Sequence, residues 1–256
     1  MKRLTLLLLA VLLLLIAAVP SSAGPAGGKD TVRLKVFVHY PRFGKPPRPP
    51  KAPKPPTPGT CDPTSNALID HYGLGGWHLS GAVEYRVNED TIPASVEDAL
   101  GAIADSFEVW EDEAKREVDF AYGGSTRVKV ARNDGLHIVA WGNVSLPDAI
   151  AVTYIWYYPS TGVVVDVDTI MNVRLPWSHT SLDDPDQADQ VCGDLYSYDA
   201  QNILTHELGH WMGLDDLYDP EDKDLTMYGY GDKGELKKET LGLGDESGIA
   251  ELGKLY

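Results

Sequence analysis

The stretch from Gln201 to Gly213, reading QNILTHELGHWMG, limits what this chain can become more than any other. His206 and His210 stand four residues apart, and on an α-helix that spacing projects both imidazoles from one face, one turn above the other. Both rings can then meet one ion at the ~2.0–2.1 Å that zinc takes from imidazole nitrogen. Glu207 follows His206 directly, so it reaches a metal-bound water from the side and stays out of the ligand set. The helix is expected to start near Tyr198-Asp199, where the Asp199 carboxylate can cap the free amides of the first turn. Gly213 permits a positive φ, so the chain can end the helix there and turn sharply back. Asp216 arrives three residues later as the expected third ligand, with Asp215 as the neighbouring alternative. Three protein ligands and one open position are what a catalytic zinc keeps.

Around this helix the chain reads as a leader, an arm and one domain. Its 256 residues, 43% of them hydrophobic, supply one substantial core but not clearly two. Met1-Lys2-Arg3, an apolar run from Leu4 to Val19 and the small residues Ser21-Ser22-Ala23 read as a secretory signal peptide over 1–23, which places the mature protein outside the cell with no remaining transmembrane span. The other reading is an uncleaved anchor, although the run is shorter than the ~20 residues a spanning helix prefers.

Residues 24–59 form a basic, proline-rich arm with eight Lys and Arg against Asp30 alone. Within it Thr31–Tyr40 (TVRLKVFVHY) partly alternates and could make a short strand. From Pro41 onward the repeated prolines favour an extended linker, or a contact with the cell envelope. Residues 60–256, the expected catalytic domain, carry 37 acidic residues against 12 basic ones, a balance that argues against nucleic acid as a partner. The same contrast reads either as a well-solvated extracellular surface or as a basic arm that lies on the acidic domain and covers its cleft. Cys61 and Cys192 are the only cysteines, and in an oxidising compartment one disulfide is the expected outcome; the alternative is Cys61 as a free thiolate on the metal.

The rest of the pattern predicts an α+β fold. Val83–Val87 alternates as a half-buried strand. From Pro93 a helix is expected through Val96, Leu100, Ile103, Phe107 and Trp110, whose spacing makes a core-facing stripe. Strands follow at Asp119–Tyr122, Leu136–Trp141, Ile150–Tyr158 and Val163–Val167, each bounded by turn-forming residues. One strand, a helix and then several strands before the next helix suggest one twisted mixed sheet packed with about three helices. The histidines His39, His71, His78, His137 and His179 have no ligand spacing and read as surface or core residues.

His206, Glu207, His210, Gly213 and Asp216 together match a signature, and on these residues the chain resembles the metzincin clan of zinc peptidases, most closely the matrixins. Leu225-Thr226-Met227-Tyr228 looks like that clan's Met-turn, which gives Met227 the place beneath the metal by resemblance. Gly244–Tyr256 looks like the closing helix of the matrixin domain and Asn88–Trp110 like its first helix with its lead-in, so the likeness covers most of 80–256. It implies a secreted zinc endopeptidase in which Glu207 is the general base for a zinc-activated water acting on a protein or peptide. By the same resemblance the substrate would add as a strand along Ile150–Tyr157; the alternative is that these residues form an inner strand. Asp134, Asp148, Asp166 and Asp168 could join a calcium site of the matrixin kind, or stand as solvated loop acids.

The chain also departs from the family. The third ligand is aspartate where most matrixins have histidine. In Arg42-Phe43-Gly44, Phe43 occupies the place of the propeptide's inhibitory cysteine, so no thiol switch operates there. The histidine-rich structural zinc site is missing, which leaves one catalytic zinc, and Tyr228-Gly229-Tyr230 replaces the usual proline after the turn. Two other classes remain as readings: a non-catalytic, envelope-associated binding protein that keeps the fold, and a zinc hydrolase acting on a non-peptide bond.

Overall fold

Apolar runs that alternate or stay buried set the strands, and the computed structural model of the chain describes them within residues 30–42, 67–114, 117–180 and 192–256. The expected signal peptide at 1–23, the stretch 43–59 and Cys61 lie outside the described residues. Cys192, within them, is disulfide-bonded. No helix among the described residues is long and apolar enough to cross a membrane.

In chain order the elements are β1 (Arg33–Pro41), β2 (Gly81–Val87), α1 (Ala99–Glu113), β3 (Val118–Ser125), β4 (His137–Gly142), β5 (Ala151–Tyr157) and β6 (Val164–Asn172). Short strands β7 (Trp177–Ser178) and β8 (Tyr198–Asp199) precede α2 (Ala200–Met212), and β9 (Tyr230–Gly231) precedes α3 (Leu243–Leu255). Seven strands form one mixed sheet in the order β3-β2-β4-β6-β5-β1-β9. β3, β2, β4 and β6 run parallel to one another, while β5 is antiparallel to both β6 and β1. A mixed sheet with three α-helices agrees with the α+β expectation at that level.

The side chains of α1 and α2 share one buried cluster with the sheet. Ile103, Phe107 and Trp110 of α1 meet Leu204, Leu208 and Trp211 of α2 above Val87, Val139 and Met171. A smaller cluster, with Ile138, Ala140, Val152 and Ile170, fills the opposite face. The helix expected from Pro93 begins instead at Ala99. Pro93 opens a turn closed by Val96 N–H on its carbonyl, and Asp98 takes a left-handed φ of 46°, so the chain cannot run as one helix through both. Val96 still reaches the core from that turn, whereas Leu100 is exposed.

Another expectation is overturned. Residues 150–157 are not a free edge, because β1 pairs along β5 from Arg33↔Tyr157 to His39↔Ala151. The order along the sheet therefore continues past β5 to β1 and then β9, where Tyr40 and Pro41 pair in parallel with Tyr230 and Gly231. The physical reason is the alternation noted in TVRLKVFVHY, which suits a strand with one face turned inward.

The loop before β4 is held by buried acids. Asp166 accepts the amides of Asp134 and Gly135, and Asp168 those of Arg132 and Ile138. Three of the four residues considered for calcium thus meet here, each with an oxygen on a backbone amide, while Asp148 lies in a different loop, before β5. Burial raises the Asp168 carboxyl to about 8, with the neighbouring Asp166 adding to the shift and the two amides opposing it. Between about pH 4 and pH 8 the folded chain therefore holds a proton at Asp168 that the unfolded chain has lost, so stability falls as pH rises through that window. Thermal melts across pH 4–8 should show this decline, and Asp168→Asn should flatten it; parallel curves would remove Asp168 as its source.

Candidate metal centre

α2 starts as the sequence implies. Asp199 accepts the Asn202 amide at 3.0 Å, which satisfies one of the free donors of the first turn. It stops at Gly213, whose φ is 117°. The Gly213 amide bonds the His210 carbonyl and the Leu214 amide the Gly209 carbonyl, the paired closure of a Schellman end. A Cβ at 213 would meet the Trp77 carbonyl oxygen at 2.3 Å. Gly213→Ala is accordingly expected to cost at least about 1–3 kcal/mol, the usual penalty of a left-handed non-glycine residue, read as a lower denaturant midpoint.

Three tryptophans fix the helix that this turn ends. Trp77 donates to the His210 carbonyl and Trp110 to the Thr205 carbonyl, each at 2.7 Å. Trp211 donates from the helix itself to Thr169 Oγ1 at 2.9 Å. All three side chains are fully buried, so the backbone that carries His206 and His210 is bonded on several sides.

The turn at Gly213 brings Asp216 back. Asp216 Oδ1 lies 3.2 Å from His206 Nε2 and 3.5 Å from His210 Nε2. These three residues form one group whose donor atoms could hold a metal ion. Asp215 instead bonds the Gly73 carbonyl through its amide and is in neither donor group found among the described residues. Each of the two imidazoles is oriented from behind. His206 Nδ1 is 2.7 Å from the Thr226 carbonyl and His210 Nδ1 2.9 Å from the Leu214 carbonyl. A carbonyl can only accept, so both Nδ1 atoms carry the proton and both Nε2 lone pairs face Asp216.

The electrostatics suit a cation. His206 Nε2, Asp216 Oδ1, Glu207 Oε1 and His39 Nδ1 are buried without a hydrogen-bond partner, a cost that a shared ion would relieve. Burial would raise the Asp216 carboxyl, but the neighbouring His210 and His206 hold it well below the usual range. Burial lowers His206 to about 4, which keeps it neutral, as a ligand must be. The residues present therefore fit a divalent metal bound by two nitrogens and one oxygen.

Glu207 is fully buried, and burial lifts its carboxyl to about 7 against the charge of His210 and the hydrogen bond from Thr153. Thr153 Oγ1 donates to Glu207 Oε2 at 2.5 Å and lies 2.7 Å from Thr169 Oγ1. With Trp211 donating to Thr169, the donations run Trp211 to Thr169 to Thr153 to Glu207. Sequence reasoning missed both threonines, although each stands inside an apolar strand run where a hydroxyl needs a partner.

Met227 lies under α2: a Cβ at Gly209 would sit 2.1 Å from its sulfur. Its turn is closed by the Tyr228 amide on the Leu225 carbonyl. Asp245, in the first turn of α3, accepts the amides of Thr226, Met227 and Gly242. The turn behind His206 thus hangs on one buried carboxylate.

His39 was read as a surface or core residue, and the structure places it in the site. Its Nδ1 is 3.5 Å from Glu207 Oε1 and its ring centroid 4.0 Å from that of His206. Burial first, and the neighbouring His206 next, hold it well below its ordinary pKa. The four remaining histidines lie elsewhere: His71 pairs with Asp222, His137 with Asp166, His78 stacks on Tyr256, and His179 bonds Glu97 and Gln201.

No family model matches this chain, and no curated protein matches it.

Proposed function

We propose that this chain is a secreted zinc endopeptidase of metzincin type, closest to the matrixins, with Met227 in the Met-turn. The observation that carries the reading is the convergence of His206 Nε2, His210 Nε2 and Asp216 Oδ1, with the carboxylate of Glu207 beside them. His206, His210 and Asp216 would hold one zinc. The chemistry such an ion supplies is polarisation of a scissile carbonyl and a bound water whose pKa falls to about 7.

The protein's own part is to hold and move the proton. Thr153 fixes Glu207 Oε2, which leaves Oε1 as the oxygen that accepts a proton from the attacking water and returns it to the leaving amine. A carboxyl poised near 7 suits both steps at neutral pH. The Nδ1–H bonds to Thr226 and Leu214 keep the imidazoles in the ligating tautomer, and Tyr218 donates to Asp216 Oδ2 at 2.9 Å, which orients the third ligand.

The test is the zinc content of the dialysed full chain, expected at about one per chain for such a donor set, together with hydrolysis of casein before and after the 24–59 arm is cut. A chain that holds zinc yet leaves casein intact in both states would remove the peptidase reading in favour of an envelope-associated binding protein.

A further inference from the structure

A cleft opens between α1 and the edge strand β3, apart from the candidate metal centre, and none of the donors grouped at α2 lines it. Its volume is about 610 Å³, within the range of about 300–1,000 Å³ usual for small-ligand sites. The floor is aromatic. Phe107 of α1 stacks on Tyr85 of β2 with centroids 3.8 Å apart and meets Phe120 of β3 at 4.8 Å. The walls are acidic, with Glu108, Glu111 and Asp112 from α1 and Asp119 from β3. Spacings of three and four put the α1 acids on one face of their helix.

These acids are crowded, and among the described residues none of them has a Lys, Arg or His within ion-pair distance. Lys115 and Arg116, which follow α1, lie outside the described residues. Glu111 Oε1 accepts the Phe120 amide at 2.7 Å, which fixes it between helix and strand. Burial raises its carboxyl above the ordinary range against that bond, and Asp119 and Glu108 raise it further, as like charges do when nothing of opposite sign stands between them. Tyr85 is an observation independent of the acids. It is 5% exposed and lines the cleft, the charge acting on its hydroxyl is that of Glu111, and the hydroxyl makes no hydrogen bond with a described residue. A buried phenol usually finds a partner, and the direction open to this one is the cleft.

The arrangement does not suit a bare metal ion. Among the described residues the only groups of three or more His, Cys, Asp or Glu donors within 4.8 Å of one another are the two at α2, whereas calcium takes six or more oxygens at about 2.3–2.6 Å. Acids spread around an apolar floor match a cation that is itself spread, with ammonium groups on the carboxylates and the methylenes between them on the rings. We propose that this cleft binds a flexible alkylammonium chain: Glu108, Glu111, Asp112 and Asp119 hold its ammonium groups, the Tyr85 hydroxyl accepts from one of them, and Phe107 and Phe120 carry its carbons. A free linear polyamine and the lysine side chains of a basic polypeptide share this chemistry. The site is independent of the peptidase reading, since it uses no residue of the candidate metal centre.

The experiment is calorimetric titration of the full chain with spermidine and, in parallel, with an N-acetylated tetralysine amide, at roughly 0.15 M salt. A single site with a dissociation constant in the micromolar range is expected for the better probe. Tighter binding of spermidine assigns the cleft to a free polyamine, and tighter binding of the peptide to a basic polypeptide. Glu111→Gln, which keeps an acceptor for the Phe120 amide, and Asp119→Asn should each weaken that probe by about 10-fold, as for loss of one hydrogen bond to a charged group, and Tyr85→Phe by about 5-fold. Asp148→Asn, which removes an exposed acid outside the cleft, should leave binding unchanged, and all variants should melt cooperatively. Equal weakening by Asp148→Asn would reduce the effect to the general attraction of an acidic surface and overturn the proposal, as would failure of both probes to bind. Displacement of spermidine by an equal concentration of calcium would make the cleft a metal site and overturn the alkylammonium assignment.

Discussion

Glu207→Ala is expected to lower hydrolysis of a denatured protein by about 10²–10⁴-fold, the usual contribution of general acid-base catalysis, with zinc content unchanged. The expectation rests on the division of labour at the site. His206, His210 and Asp216 converge on one point, whereas Glu207 is bonded through Oε2 to Thr153 and has Oε1 unpartnered. Alanine removes the proton acceptor without touching the ligand atoms or the carbonyls behind them. The comparison should be made at equal metal loading, on chains whose 24–59 arm has been cut, and by initial rates on casein. A variant that retains parental activity would show that Glu207 is not the base.

His206→Ala has the opposite signature, since it removes a ligand and leaves Glu207 in place. Loss of a residue that merely orients a ligand costs about 10–100-fold in metal affinity, so loss of the ligand itself should exceed about 100-fold. Competition with a chelator reads this directly. A second readout is thermal: zinc at about 100 times its dissociation constant adds about 2.7 kcal/mol to the folded state, so the parent's melting temperature should rise on adding zinc and that of the variant should not. An unchanged zinc-dependent rise would place the ion elsewhere.

The candidate metal centre was the most legible part of the sequence because its geometry is local. His206 and His210 share a face through helical periodicity alone, Asp199 caps the same helix, and the positive φ of Gly213 could be anticipated from the need to turn. Strand positions were legible to within a few residues for the same reason. The start of α1 was not, because the break at Asp98 depends on a left-handed backbone that the apolar stripe does not encode. His39 and Thr153 were missed for a different cause. Each reaches Glu207 only through strand pairing between segments far apart in the chain, and nothing in their spacing announces such a neighbour. Of the arm, Arg33–Pro41 is a paired strand of the sheet, as its alternation allowed.

The bond between Asp245 and the amides of Thr226 and Met227 also imposes a timetable. A polypeptide is made from its N-terminus, so β1 and β5 are both present and able to pair before His206 and His210 exist. The ligands come next, and the carboxylate that steadies the turn behind them emerges last. In a nascent chain, therefore, β1 and β5 can pair before the donor set of His206, His210 and Asp216 is complete.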